Sequence, residues 1–130
     1  MLAGRADAAV HSLKDLPVSL PEGLAMGAIL PRADTADVLV TRASGGLAEL
    51  PGGARVGTGS PRRRGMLLAA RGDVVSAPIR GNVPTRLAKL AGGGFDGIIL
   101  AAAGLKRLGM IAEGVMKVDG VMADLGVSSP

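Results

Sequence analysis

Three arginines in a row follow a Gly/Thr/Ser turn in VGTGSPRRRG, Val56 to Gly65. A guanidinium is a planar, permanently charged fork of N–H donors, suited to a carboxylate or phosphate held by two parallel hydrogen bonds. Further cations follow at Arg80, Arg86, Lys106 and Arg107, and from Arg55 to Arg107 ten Lys and Arg stand against two acids, Asp73 and Asp96. The net charge of the whole chain is +4, so the surplus is concentrated in this stretch. It implies an anionic partner: nucleic acid, phosphate or a polycarboxylate. A solvated basic surface is the plain alternative. A second stretch, VHSLKDLP, sets His11, Lys14 and Asp15 close together. Taken alone it reads as an exposed loop with a neighbouring ion pair, and a single imidazole without thiols is a poor metal site.

For scattered cations to act together, secondary structure must gather them. The pattern predicts a strand over DVLVTR, a short turn-bounded segment over GGLAELPGG, and a buried strand over ARVGTG. Ser60 is then a natural N-cap, with Pro61 at the first helical position and RRRGMLLAA as the helix. The same order recurs: VVSAPIRG as a strand, Asn82 as a cap, VPTRLAKLA as a helix, and Gly92 to Gly94 as its stop. FDGIILAAAG reads as a third strand, and LKRLG as a short helix ended by Gly109. Strands alternating with helices indicate an α/β sheet, whose ligands bind beyond the carboxyl ends of the strands. The expectation is that Arg62 and Arg63, Arg80 and Arg86, and Lys106 and Arg107 converge on that edge, where helix N-termini add free N–H groups. Upstream, ADAAVHS and LAMGAIL read as two strands joined by a loop that Pro17 and Pro21 keep extended.

Several classes fall away. GTGSPRR lacks the spacing of a P-loop, and no G-x-G-x-x-G follows a strand. Readers of single-stranded nucleic acid need aromatic platforms, and Phe95 is the one aromatic residue. No apolar run approaches the roughly 20 residues that span a bilayer. The opening MLAGRADAAV is not expected to be a signal peptide, because Asp7 and His11 interrupt it. With no cysteine, neither a disulfide framework nor a thiolate metal site is available, and a cytoplasmic location is expected. Small polyanions held by arginine forks remain the favoured partner. A non-catalytic anion-binding module and a basic RNA-associated protein stay open as alternatives.

Four stretches in register, AVHSLKDLPVSLPEGL, VGTGSPRR, PIRGNVPTRLAKL and DGIILAAAGLKRLG, together resemble the hydroxymethylbilane synthase (porphobilinogen deaminase) family of tetrapyrrole biosynthesis, over about residues 1 to 110. The resemblance implies a transferase that joins four porphobilinogens head to tail with loss of ammonia, on a covalently attached dipyrromethane cofactor. Each pyrrole carries an acetate and a propionate, so the growing chain is a polyanion. By this resemblance Asp15 is the catalytic carboxylate, handling the proton of the departing amine and stabilising the cationic azafulvene. Ser12 and Lys14 match neighbouring cofactor-binding positions. Arg62, Arg63, Arg80, Arg86 and Arg107 match carboxylate-binding positions, with Thr58 and Ser60 donating from the turn. No metal is implied. The expected partners are porphobilinogen and linear pyrrole polycarboxylates, with no nucleic acid and no membrane, and the chain is expected to be a monomer.

The implied fold is a three-layer α/β lobe like that of periplasmic binding proteins, the family's second domain, at residues 31–110. Residues 1–30 would be the end of a truncated first α/β domain, and residues 111–130 a divergent tail. Family features outside the resemblance are an initial GTRxSxLA strand, a lysine-rich loop, a later LPAxGQGA crossover, and the third-domain cysteine that anchors the cofactor. Arg64 and Pro84 fall at variable positions. The isolated fragment is therefore expected to be inactive. Residues 117–130, KVDGVMADLGVSSP, resemble a segment of the S-adenosylmethionine-dependent ribosomal RNA methyltransferase H family, and an ordinary strand with a turn is the alternative. True kinship there would make the chain a fusion or a mis-assembled reading frame, without the cofactor's glycine-rich loop.

Overall fold

The computed structural model describes residues 1–42, 45–112, 115–116 and 122–124. They fall into two units, Met1–Pro31 and Arg32–Pro130.

The second unit is an α/β structure built on one mixed sheet. Its elements run β1 (Asp37–Thr41), β2 (Arg55–Gly57), α1 (Pro61–Ala70), β3 (Val75–Ala77), α2 (Val83–Ala91), β4 (Gly97–Ala101), α3 (Ala102–Arg107) and, later, β7 (Met122–Asp124). The strand order is β3-β2-β4-β1-β7. β2 pairs in parallel with both β3 and β4, whereas β1 runs antiparallel to β4 and to β7. A separate pair joins β5 (Ile111–Ala112) to β6 (Val115–Met116).

Alternation explains why the central strands are apolar along their middles. In β1, Val38 and Val40 pack on one face with Ile98, Leu100, Leu90 and Leu105. Leu39 and Ile99 point to the other face and meet Val56, Leu67 and Leu50. Both faces are thus covered, the first by α2 and α3, the second by α1 and the 3₁₀ turn Leu47–Glu49. A sheet buried on both sides demands continuous apolar strands. The close approach at Gly57 has a matching cause: a Cβ there would lie 3.0 Å from the buried Phe95 ring.

Both predicted caps form. The Ser60 hydroxyl accepts the Arg63 N–H at 3.4 Å, and Asn82 Oδ1 accepts the Thr85 N–H at 2.9 Å. Arg71, at the end of α1, donates to the carbonyls of Leu47, Ala48 and Leu50 and to both oxygens of Asp73. This ties the 3₁₀ turn to the helix. Two expected elements differ in extent. The predicted strand VVSAPIRG pairs only over Val75–Ala77, so Arg80 lies in the loop beyond it. The helix after β4 begins at Ala102, earlier than LKRLG suggests.

The first unit departs from the expectation. Neither ADAAVHS nor LAMGAIL forms a strand, and the one regular element among residues 1–31 is a 3₁₀ turn, Leu13–Asp15. No residue of this unit is buried, and Val10, Val18, Ile29 and Leu30 are exposed. A strand needs a partner ladder for its N–H and C=O groups, and none exists within these residues.

Candidate functional site

Because β2, β3 and β4 are parallel, their carboxyl ends share one edge of the sheet. The chain leaves that edge through Thr58–Ser60 into α1, through Pro78–Asn82 into α2, and directly into α3. β1 runs the other way, so its first residue, Asp37, comes to the same edge, opposite Ala101 of β4.

Thr58 is buried, its N–H donating to the Ala77 carbonyl at 2.9 Å and its hydroxyl oxygen accepting the Ser60 N–H at 3.2 Å. These bonds hold the turn that launches α1. Arg62 and Arg63 follow in the first helical turn, and both reach Asp37. Arg63 donates to Asp37 Oδ1 through Nε at 2.9 Å, and its Nη2 lies 2.7 Å from the same oxygen in an ion pair. Arg62 donates to Oδ2 through Nη2 at 2.5 Å, while its Nη1 lies 3.2 Å from the Met66 sulfur. The Asp37 side chain is 3% exposed, against 47% for Arg62 and 17% for Arg63. Burial pushes the Asp37 carboxyl up, but hydrogen bonds from Arg63 and then Arg62, with their charges, outweigh it and hold the group below its ordinary value of 3.8.

Arg80 is exposed, and its guanidinium makes no hydrogen bond or ion pair among the described residues. Its carbonyl accepts from Lys89 Nζ at 2.9 Å. Gly81, at φ +117, turns the chain from Arg80 into the Asn82 cap. Arg86 donates through Nε to the Gly81 carbonyl at 2.7 Å, which spends one donor and fixes the side chain against the loop. Lys106 and Arg107 sit in the last turn of α3. They lie near the negative end of that helix rather than at a helix N-terminus, and Lys106 Nζ pairs with Asp34 at 2.6 Å. That placement corrects the expectation that all three cation sets follow strand ends alike.

Ser12, Lys14 and Asp15 belong to the first unit. Ser12 precedes the 3₁₀ turn without a side-chain capping bond, and the Asp15 N–H donates to the Ser12 carbonyl at 3.0 Å. All three are exposed, and the His11 ring nitrogen lies 3.1 Å from the Ser12 carbonyl. No ion pair joins Lys14 to Asp15 among the described residues.

A family model described as porphobilinogen deaminase, dipyromethane cofactor binding domain, matches residues 1–126. The chain belongs to the porphobilinogen deaminase family. Curated porphobilinogen deaminases similar to it include that of Xanthomonas axonopodis pv. citri, 57% identical over 113 residues, which are 87% of this chain and 37% of that protein. That of Syntrophobacter fumaroxidans is 56% identical over 84% of this chain and 35% of its own length. That of Moorella thermoacetica is 58% identical over 83% and 34%. The chain thus spans about a third of the length of these relatives. The family match continues past residue 110, the end of the motif resemblance, and takes in most of 117–130. The likeness of that segment to methyltransferase H gains no support, and residues 117–121 and 125–130 lie outside the described residues.

The donors at the sheet edge fit the carboxylates of a dipyrromethane: the Arg80 guanidinium, unpaired among the described residues, the N–H groups that Arg62 and Arg63 do not give to Asp37, and the hydroxyl protons of Thr58 and Ser60. A covalent thioether anchor does not fit, since the sequence has no cysteine. Asp37 is the residue that sequence reasoning missed. The cation-rich stretch Arg55–Arg107 leaves out Asp34 and Asp37, the acids that meet Lys106, Arg62 and Arg63 in space. The available signal is an acid placed directly before the apolar run Val38–Val40 of a strand.

Proposed function

We propose that this chain supplies the carboxylate-gripping part of a hydroxymethylbilane synthase, the transferase that condenses four porphobilinogens with release of ammonia. The observation that carries the reading is the placement of Arg62, Arg63 and Arg80 beyond the carboxyl ends of two neighbouring parallel strands, β2 and β3, in a chain of this family. Arg62, Arg63, Arg80, Arg86 and Arg107 hold the acetates and propionates of the pyrroles, and Thr58 and Ser60 add hydroxyl donors. Ser12 and Lys14 serve the bound cofactor. Asp15 takes charge of the proton on the departing amine and stabilises the positive azafulvene. When bound, dipyrromethane supplies the pyrrole end to which the first porphobilinogen is joined.

On this reading residues 31–110 are a periplasmic-binding-protein-like lobe, residues 1–30 belong to a preceding α/β domain, and the protein works as a cytoplasmic monomer. The chain alone binds porphobilinogen without consuming it, because the covalent anchor needs a thiol that this sequence lacks.

Titration of the 130-residue chain with porphobilinogen, followed by amide NMR, tests the reading. Saturable shifts at residues 58–63 and 80–86, with a dissociation constant on the order of 0.1–1 mM, are expected. The double substitution Arg62→Ala/Arg63→Ala should remove most of that affinity. Equal binding by both proteins would count against the assignment, and porphobilinogen consumption above a protein-free blank would overturn the expectation of inactivity.

A further inference from the structure

We propose that Asp37 is a positioning residue for the carboxylate-binding arginines: its buried carboxylate ties Arg62 and Arg63 side by side, so that their remaining N–H groups form a fixed fork for the ligand. The inference rests on the reading of Arg62 and Arg63 as carboxylate donors.

The geometry is specific. One oxygen of Asp37 accepts the Nε–H of Arg63 and lies 2.7 Å from its Nη2, and the other accepts an N–H from Arg62. A carboxylate has about four lone-pair positions, so it can engage two guanidiniums at once. Two cations on adjacent helical positions would otherwise repel and sample separate rotamers, and each flexible side chain ordered only on binding lowers affinity. Here the cost is met during folding, because Asp37 is 3% exposed and fixed in β1 by pairing with β4. The antiparallel course of β1 is what brings its first residue to the edge where α1 begins. Arg63 is the more enclosed partner, and the half-exposed Arg62 keeps its Nε–H outside this contact. Two positive charges share one negative charge, so the cluster stays net positive toward an anion.

The competing possibility makes the opposite prediction. If Asp37 merely occupied the place of a ligand carboxylate, removing its charge would free both arginines and raise anion affinity. Positioning requires that affinity fall. The sign of the change therefore decides.

The experiment uses the 130-residue chain with porphobilinogen as probe. Wild type, Asp37→Asn, Asp37→Glu and Arg62→Ala/Arg63→Ala are titrated at constant ionic strength, with hydrogen exchange of the Arg63 Nε–H read alongside. The expected result is roughly tenfold weaker binding by Asp37→Asn, faster Nε–H exchange in that variant, and partial recovery of both by Asp37→Glu. Unchanged or tighter binding by a folded Asp37→Asn, while the double arginine variant loses affinity, overturns the positioning role and leaves the arginine reading standing. No binding by wild type, or equal binding by the double arginine variant, overturns the arginine reading and the positioning role with it. If Asp37→Asn does not fold, the wild-type Nε–H decides: slow exchange supports the tie to Asp37, and exchange at the rate of a solvated guanidinium overturns it.

Discussion

Residues 1–31 and residues 32–110 are both rich in Leu, Val and Ala, yet the second set builds a core and the first buries nothing. In the second unit Leu39, Val56, Leu67, Ile98, Ile99 and Leu105 are essentially sealed from solvent. In the first, Val10 and Val18 are fully open. Apolar content is therefore not what separates the regions. The second unit has paired strands whose two faces are capped by helices, so each apolar side chain finds a neighbour. The first has prolines and a single 3₁₀ turn, and no paired strands among its own residues to gather its apolar side chains. The proposed roles divide along the same line. Arg62 and Arg63 stand on a rigid helix start tied to a buried acid, whereas Asp15 stands on the exposed turn.

The comparison breaks most directly at the core. Ile99→Ala, in the middle of β4, should cost about 2–5 kcal/mol of stability through lost burial and a residual cavity. Val18→Ala should stay within about 0.5 kcal/mol. Urea denaturation of the two variants checks this, and equal effects would mean that residues 1–31 carry a core of their own.

Two serines sharpen it next. Ser60 and Ser12 both precede a helical turn, but only Ser60 accepts a capping hydrogen bond, from the Arg63 N–H. Ser60→Ala should therefore destabilise by about 1 kcal/mol, and Ser12→Ala should leave the denaturation midpoint where it is. Asn82→Ala should resemble Ser60→Ala, since Asn82 caps α2 in the same way.

The smallest effect is in acid. Asp37 is held below 3.8 in the folded state, so its contribution is fully present above that value and is lost as pH falls through the lowered one. Wild type should lose stability below about 3.8, and the loss should be shallower in Asp37→Asn. It should not vanish. Asp34 and Asp73 are held low as well, by hydrogen bonds from Lys106 and Arg71 respectively. Thermal melts across this range, monitored on residues of the second unit, measure the difference in slope.

The sequence by itself determined the local structure of the second unit and the family. Periodicity marked β1, β2 and β4, and Ser60-Pro61 and Asn82 marked the starts of α1 and α2, because caps and turns depend on residues within a few positions of one another. The motifs VGTGSPRR, RGNVPTR and LKRLG carried the resemblance that the family match bears out. Whether an apolar stretch becomes a strand was decided only in three dimensions. DVLVT pairs on both sides, and LAMGAIL, no less apolar, finds no partner strand. Tertiary structure alone also decided the state of the arginines. Asp37 lies 25 residues before Arg62 in the chain, and only the antiparallel course of β1 across the sheet closes that gap to a hydrogen bond. Charge read along a sequence adds neighbours in order, whereas ion pairs form between neighbours in space.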